Sequence, residues 1–536
     1  MAFRTNSSQQ LSLTDITNSL TFREQKALEN SWAKIFAEDI FPSIDEERFR
    51  VIYSDRAQSK FNTPVNICIG ALIIKEMFQI SDDEVVENLM LDPRYQYALH
   101  TTSFEEQPLS DKTLSRFRKR CYDYEQETGV DLLHGCVTDL SGKIAEMMKV
   151  NPRIRRMDSM MIEANIKNLS RAELLYSCVA KLARCLHKAE RNDLLEGLKH
   201  YYDPNDFNRT FYYNDSTETE DITKTVLEDA DRLLMLGRDD FSGMEDYQLL
   251  ERCLSEQTIT EGGVRRLREK KKDPFPKAMM QSPTDPEATY REKAGKKYRG
   301  YVANLEEAVD RNGSVIIDYQ FDQNIHSDSQ FLKDRLESME RQEEKTILAT
   351  DGAYCGESNS ISAQEKNIQL VTTALTGIEV PDIYADFELS TDGKQVLRCP
   401  MGYIPKSSCY TEGGGGHIYV SFPRDVCMSC PHREECRVKE HKQVCSFTIS
   451  ATAQYRAKTK RFMSTEEFKL LSRIRNGIET VPSVLRKKYH ADRMPVHGTR
   501  RNRFFFGCKV AAINVRKLFD YRKGKGHYAQ NPLFAG

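Results

Sequence analysis

The sequence predicts a multi-domain α+β protein, and three observations support that class. The chain has 536 residues, enough for two or more folding units. Residues 1–150 have the apolar spacing of helices. Residues 151–374 alternate strand-like and helix-like stretches, whereas residues 375–450 are rich in cysteine, glycine and aromatic residues. We therefore expect a helical N-terminal region followed by an α/β core that carries inserted segments.

The N-terminal region contains clear helix start signals. Ser81 precedes the acidic first turn of SDDEVVENLML, which suits a helix N-terminus. Residues 110–113 precede LSRFRKR, a basic helix that contains one aromatic residue. Two interpretations of this helix remain open: contact with DNA phosphates, or an amphipathic helix whose arginine stems cover the core.

The predicted core begins with a strand-like segment and resumes after a helical insert. Residues 154–166 read as two short strands around a turn, with Asp158 in the first. Residues 167–284 form the insert, which ends in a basic linker and several prolines. The Asn-Gly pair in Arg311-Asn312-Gly313 predicts a hairpin turn. The predicted elements around this turn are strands 298–309 and 314–321, helix 327–341 and strand 345–350.

Two aspartates stand out in this core. Asp158 lies within a predicted buried strand, and Asp351 directly follows another. Buried carboxylates are costly unless they are paired, hydrogen-bonded or metal-bound. Ligands also bind at strand ends in open α/β sheets. Each aspartate taken alone is equally compatible with a turn or a helix cap.

The cysteines of residues 375–450 have metal-ligand spacing. Cys427-x-x-Cys430, Cys436 and Cys399 together match a closed structural zinc site. Unrelated reduced thiols or a redox pair are the alternatives. Further candidate ligands in this segment are Cys409, Cys445, His417, His432 and His441. We expect the zinc to stabilise an insert too rich in loops to form its own core.

The charge distribution is strongly asymmetric. The formal net charge is −2, yet residues 451–536 contain 20 Lys and Arg against 5 Asp and Glu. A basic C-terminal tail with interleaved Phe504, Phe505, Phe506 and Tyr521 suggests contact with DNA phosphates, and a solvated charged face is the alternative. The first residues have no apolar signal region, and no run is apolar enough to span a bilayer. The sequence therefore predicts a cytoplasmic protein.

Several motifs resemble landmarks of one enzyme family. RMDSMMIEANIKN, DPEATYREKAGKKYRGYVANLEEAVD, TILATDGAYCGESN and RIRNGIETVPSVLRK follow one another in the order found in bacterial insertion-sequence DDE transposases. ISDDEVVENLMLDPRYQYAL and PLSDKTLSRFRKR are similar to the InsH-type N-terminal region of a group that also has a cysteine-rich insert. The resemblance covers roughly residues 40–520.

The resemblance implies a ribonuclease-H-like catalytic domain with two Asp and one Glu as metal ligands. Asp158 and Asp351 match the two aspartates, and Glu479 matches the glutamate. Residues 464–467 predict a capped helix running to about Thr480, which places Arg475 and Glu479 on one helical face. The family's Arg-x-x-x-Glu pairing therefore matches Arg475 and Glu479. The family's tyrosine and lysine positions hold Ser472 and Arg486 here, and the competitors for the third acid are Glu434, Glu435 and Glu440.

The family chemistry is metal-dependent DNA cleavage and strand transfer. Two Mg²⁺ or Mn²⁺ ions suit three carboxylates because hard cations prefer oxygen ligands. The implied partners are double-stranded DNA, as transposon ends and target, and a second copy of the chain on that DNA. The expected location is the cytoplasmic nucleoid. The alternatives are an inactive transposase-derived DNA-binding protein and a metal-dependent nuclease without joining activity.

The expected domain organisation follows from these assignments. Residues 1–150 form a helical domain for DNA binding, and residues 151–374 form the first part of the catalytic core with its helical insert. Residues 375–450 form the cysteine-rich zinc insert. Residues 451–536 complete the core and end in the basic tail.

Overall fold

The computed structural model describes residues 1–6, 16–54, 60–102, 108–213, 219–293, 295–372, 379–412 and 416–525. In the described part of residues 1–150, the regular secondary-structure elements are helices, as predicted. Ser81 caps its helix by accepting a hydrogen bond from the Glu84 N–H, and the Glu84 carboxylate accepts one from Ser81 in return. The helices are α1 (Phe22–Glu29), α2 (Trp32–Ile35), α3 (Val65–Phe78), α4 (Asp82–Leu91), α5 (Pro93–Ala98), α6 (Thr113–Thr128) and α7 (Leu132–Met147).

A single long strand follows, where the sequence predicted two short ones. Strand β1 runs over Ile154–Glu163 without a turn. It stays extended because the antiparallel strand that follows the insert pairs with it over nine consecutive residues. The two-strand prediction was therefore wrong, although Asp158 does lie on a strand.

The helical insert forms a unit with its own core. Leu175, Leu182, Leu195 and Leu250 belong to one buried cluster that is confined to this part of the chain. The predicted basic linker is a β-hairpin instead, because Gly262 and Gly263 both adopt positive φ at its turn. The elements are α8 (Arg171–Lys188), α9 (Asp206–Tyr212), α10 (Thr219–Phe241), α11 (Glu245–Gln257), β2 (Thr258–Glu261) and β3 (Val264–Leu267).

The central sheet is mixed, in agreement with the predicted fold class. Its order is β6–β5–β1–β7–β8, and β4 pairs with the first part of β5. Strands β7 and β8 run parallel to β1, whereas β5 is antiparallel to it. This arrangement is consistent with the ribonuclease-H-like α+β fold. The elements are β4 (Thr289–Lys293), β5 (Lys296–Asp310), β6 (Gly313–Gln323), α12 (Asp328–Ser338), β7 (Thr346–Thr350), α13 (Glu357–Glu365) and β8 (Ile368–Thr372).

The cysteine-rich segment builds a small sheet. Strands β11, β12, β14 and β13 pair in that order, around a buried cluster that includes Val420, Phe422 and Phe447. The expectation that this segment forms no core of its own was therefore wrong. The elements are β9 (Glu388–Leu389), β10 (Val396–Arg398), β11 (Ser407–Thr411), β12 (His417–Pro423), α14 (Arg424–Met428), β13 (Lys439–Glu440) and β14 (Val444–Ile449).

The C-terminal region is helical, and its last helix is largely buried. Helices α15 (Ala451–Met463), α16 (Glu466–Ser472), α17 (Thr480–Tyr489) and α18 (Thr499–Arg522) complete the described chain. The Asn514 side chain fixes α18 between β6 and α7, because it hydrogen-bonds both backbone groups of Ile316 and the Ser141 hydroxyl. One hydrophobic cluster consequently joins the N-terminal helices, the sheet and α18.

The aromatic residues of this region do not form a stacking surface for DNA. Phe504, Phe505 and Phe506 are at most 8% exposed. Two of the helix's cations are also engaged, since Lys509 pairs with Glu76 and Arg503 with Glu125. The expected DNA contact was therefore wrong for these three rings, which fill the core; Tyr521 is only partly buried, and contact of the basic residues of 500–525 with DNA phosphates stays a prediction. Across the part of the chain that the structure covers, every helix is too short or too polar to cross a bilayer.

Candidate active site

Asp158 and Asp351 meet on one face of the central sheet. Strands β1 and β7 pair in parallel with Arg156 opposite Ala349. Two residues further along each strand, Asp158 and Asp351 are therefore at the same level. Because side chains alternate between faces, both carboxylates share the face of Ala349, on which Ile474 packs.

The electrostatics of Asp158 reflect this proximity. Burial raises the pKa of the Asp158 carboxyl, and the nearby Asp351 charge raises it further. Arg475 and Lys293 act in the opposite direction by favouring the charged form. Asp351 is more open, with 45% of its side chain exposed, and it caps a short helical turn by accepting a hydrogen bond from the Gly352 N–H. Two carboxylates close enough to influence each other's charge favour a shared cation.

Glu479 reaches this place by a different local structure from the one predicted. Helix α16 begins after Thr465 and already ends at Ser472, so the predicted continuous helix to Thr480 was wrong. A short 3₁₀ turn, Arg475–Gly477, follows, and Glu479 is the N-cap residue of α17. Pro482 lies in the first turn of α17, where a missing N–H costs no helical hydrogen bond. The chain is thereby folded back over the sheet.

Arg475 connects the second and third acids. Its guanidinium lies 3.6 Å from an Asp351 oxygen and 3.5 Å from a Glu479 oxygen. The predicted pairing of Arg475 with Glu479 is therefore present although the long helix is not. Arg475 is 17% exposed and Glu479 is 66% exposed, so the arginine is held in place while the glutamate can reorient.

A buried arginine holds the turn that carries these residues. Arg156 pairs with Glu307 at 2.6 Å and donates a hydrogen bond to the Ile474 carbonyl at 3.2 Å. A Cβ atom placed on Gly477 would overlap the Arg156 guanidinium, so only glycine permits this approach. Lys517 of α18 also pairs with Glu307, and together the two cations lower the pKa of that carboxyl to about 2 against its burial. Strand β1 thus fixes the position of the Arg475–Gly477 turn.

Asp328 is an acid near the site that sequence reasoning missed. It begins α12, is 4% exposed, and accepts a hydrogen bond of 2.8 Å from Ser159, the neighbour of Asp158. The Tyr354 phenol lies close by. Burial and then the charges of Asp328 and Asp158 raise the pKa of this phenol. The only sequence signal was a helix cap, Ser327-Asp328, which is common in any protein.

Metal-ligand geometry is not formed in this conformation. Among the residues that the structure describes, no three His, Cys, Asp or Glu side chains form a group that could hold a metal ion. The competing acids lie elsewhere: Glu440 pairs with Arg424 and Arg433, and Glu435 pairs with His432, all within the cysteine-rich segment. The donor set of Asp158, Asp351 and Glu479 still suits a hard cation, since all three donors are carboxylates.

The four predicted zinc ligands line one small cavity, although within the described residues they too do not form a group that could hold a metal ion. Cys399, Cys427, Cys430 and Cys436 surround it together with His432. Burial and then neighbouring thiols raise the pKa of Cys427 to about 11 and that of Cys436 to about 12. Cys445 also contacts Cys427 and is a further candidate ligand. The Cys427 and Cys436 thiols are therefore protonated near neutral pH in the metal-free protein, and a bound dication would favour their thiolate form.

Comparison with known families identifies two regions of the chain. Residues 22–120 match the family described as Transposase domain (DUF772), and residues 398–519 match the Transposase DDE domain. The second match includes Arg475, Glu479 and the four cysteines, whereas Asp158 and Asp351 lie before it. No curated protein and no solved structure matches the chain.

Proposed function

The chain belongs to the DDE transposases of insertion sequences, and from this premise we propose that it cuts and rejoins DNA with Asp158, Asp351 and Glu479. The observation that carries the proposal is the shared level of Asp158 and Asp351 on adjacent parallel strands, with Arg475 linking Asp351 to Glu479. Arg475 thus connects Glu479 to Asp351, which comes from a distant part of the sequence.

Two divalent ions at this place would activate the attacking oxygen and stabilise the leaving oxygen of a phosphodiester. Asp158 supplies a rigid donor because its strand pairs with β5 at this residue and with β7 up to Arg156. Glu479 supplies a mobile donor that can turn from Arg475 towards the aspartates. Arg475 is then free to hold a phosphate oxygen of the DNA, for which its planar guanidinium is well shaped.

The test is cleavage of DNA that carries the ends of the element encoding the chain. We expect cleavage with Mg²⁺ or Mn²⁺ and none with EDTA, followed by joining of the new 3′-hydroxyl ends to a second duplex. Supplying pre-cut ends separates the two steps. Binding without any cutting would indicate an inactive DNA-binding protein, and cutting without joining of pre-cut ends would indicate a nuclease.

The remaining partners follow from the same proposal. One face of helix α6 packs into the core, because Phe117 is buried and Arg118 pairs with Asp82. Arg116 on the same helix is exposed, so residues 1–150 retain a surface for DNA ends. We propose transposon ends and target DNA as substrates, a second copy of the chain on that DNA, and action at the nucleoid.

We further propose a structural zinc ion held by Cys399, Cys427, Cys430 and Cys436. We expect the purified chain to contain about one zinc ion, and Cys430→Ser to lose it and to lower the melting temperature, because a bound metal contributes directly to folding. Elemental analysis measures the content. Cys409→Ser, at an exposed cysteine of the same sheet, is the control and keeps the zinc. A folded, metal-free wild type would refute the proposal, and loss of zinc in Cys445→Ser would reassign a ligand.

A further inference from the structure

Three neighbouring surface cavities share lining residues. The first lies between the β5–β6 turn, α17 and α18, and the second lies beside the start of β1. Asn312 lines both. The third lies along the outer strand β8 and α15, and it shares Lys345 with the second. Through these shared residues the three cavities form one continuous depression, which we call the basic groove.

The groove contains exposed cations without acidic partners. Eight of its lysines and arginines are exposed. Arg153 pairs with Glu344, but within the described residues none of the other seven lies within ion-pair distance of a carboxylate, in contrast to the many paired cations elsewhere on this protein. Asp310 and Asp520 also line the groove, and Asp310 already accepts hydrogen bonds from the Asn151 and Asn312 N–H groups. The seven cations are Lys149, Arg311, Lys345, Lys458, Lys488, Arg516 and Lys525.

The first cavity is lined by Thr480, the neighbour of Glu479, but the second cavity is separate from Asp158 and Asp351. It lies where β1 and β7 begin, whereas Asp351 follows the end of β7. From Lys345 to Asp351 the chain advances six residues, or roughly 20 Å of extended strand. A phosphate bound at Lys345 is therefore not the phosphate that is cut.

We propose that the basic groove binds the phosphate backbone of double-stranded DNA away from the point of cleavage. The inference deepens the proposed function, since it assigns a second DNA contact to the same enzyme. A row of unpaired cations fits a polyanion of regular charge spacing, because each neutralised phosphate releases condensed counterions. The DNA comes from one of two sources: a distal part of the duplex being cut, or a second duplex.

The test is a charge reversal at two exposed positions, Arg311→Glu with Lys345→Glu. Binding is measured without metal at several salt concentrations, so its result does not depend on cleavage. We expect the slope of log K against log salt to fall by about two, because two phosphate contacts are lost. The matched control, Lys270→Glu with Lys271→Glu, makes the same charge change in the exposed turn that follows the hairpin of the insert and keeps the wild-type slope.

Duplex length distinguishes the two sources. If the groove binds a distal part of the cut duplex, the loss appears with about 40 base pairs and not with about 10, which span roughly 34 Å. If it binds a second duplex, the wild type takes up two short duplexes and the variant only one.

An unchanged slope in the folded variant overturns the inference, and melting curves establish that the variant is folded. Lys458→Glu with Lys488→Glu repeats the test in the first and third cavities. Wild-type chain that binds DNA through the groove but never cuts it would retain this inference and refute the proposed catalysis.

Discussion

Asp158→Asn and Asp351→Asn are each expected to reduce metal-dependent DNA cleavage by roughly a thousandfold or more. Loss of one carboxylate ligand removes several kcal/mol of charge stabilisation from the transition state, and about 4 kcal/mol corresponds to a thousandfold in rate. Glu479→Gln is expected to act in the same way. Single-turnover cleavage of an end-labelled duplex measures the effect directly.

Folding is expected to survive the substitution at Asp158. Burial and the Asp351 charge both raise the pKa of Asp158, so its negative charge is unfavourable where it lies. A neutral asparagine removes that repulsion, and the melting temperature should stay level or rise. Substitution of a metal ligand should remove activity without lowering stability. Substitution of a purely structural residue should lower stability as well.

Two matched variants control for the chemical change. Asp239→Asn replaces an exposed aspartate of α10, and Glu467→Gln replaces an exposed glutamate of α16. Both should cleave at the wild-type rate. DNA binding without metal should be similar in all variants, because none removes a positive charge. Full activity in any one of the three acid variants would exclude that residue from the site.

Much of the sheet could be predicted from local patterns. The Asn-Gly turn marked the β5–β6 hairpin, and the apolar run before Asp351 marked β7, because turn chemistry and burial are both encoded within a few residues. The single strand β1 was not predicted, since its continuity depends on pairing with β5, more than a hundred residues away. Long-range pairing leaves little trace in a local pattern.

The C-terminal region shows why charge was misleading there. Residues 499–522 are basic and aromatic, which is also the composition of a nucleic-acid-binding segment. The acids that neutralise these cations, such as Glu76 and Glu307, lie in other elements that only the fold brings near. Composition counts charges but does not reveal their partners. The basic groove, by contrast, is assembled from cations that are scattered through the sequence.

The turn that carries Arg475 could not be predicted from the sequence either, and substitution within this turn should strongly reduce cleavage. Gly477→Ala is expected to slow cleavage by about 10- to 100-fold, the range typical of residues that orient a metal ligand. The added methyl group overlaps the Arg156 guanidinium, which cannot move away because Glu307 and the Ile474 carbonyl hold it. The turn must shift instead, and Arg475 and Glu479 shift with it. The metal concentration needed for half-maximal cleavage should rise, which a simple loss of stability would not cause.

Two controls isolate this mechanism. Gly142→Ala makes the same change where nothing lies within 4 Å of the new atom, and it should leave cleavage unchanged.

Arg155→Lys and Arg156→Lys each weaken a buried ion pair, with Glu306 and Glu307 respectively, but only Arg156 contacts the Ile474 turn. Only Arg156→Lys should therefore alter the metal dependence. In that background Gly477→Ala should cost much less, because the guanidinium that it strikes is absent and the two substitutions are coupled. Strictly additive effects would show that the turn is not positioned by Arg156.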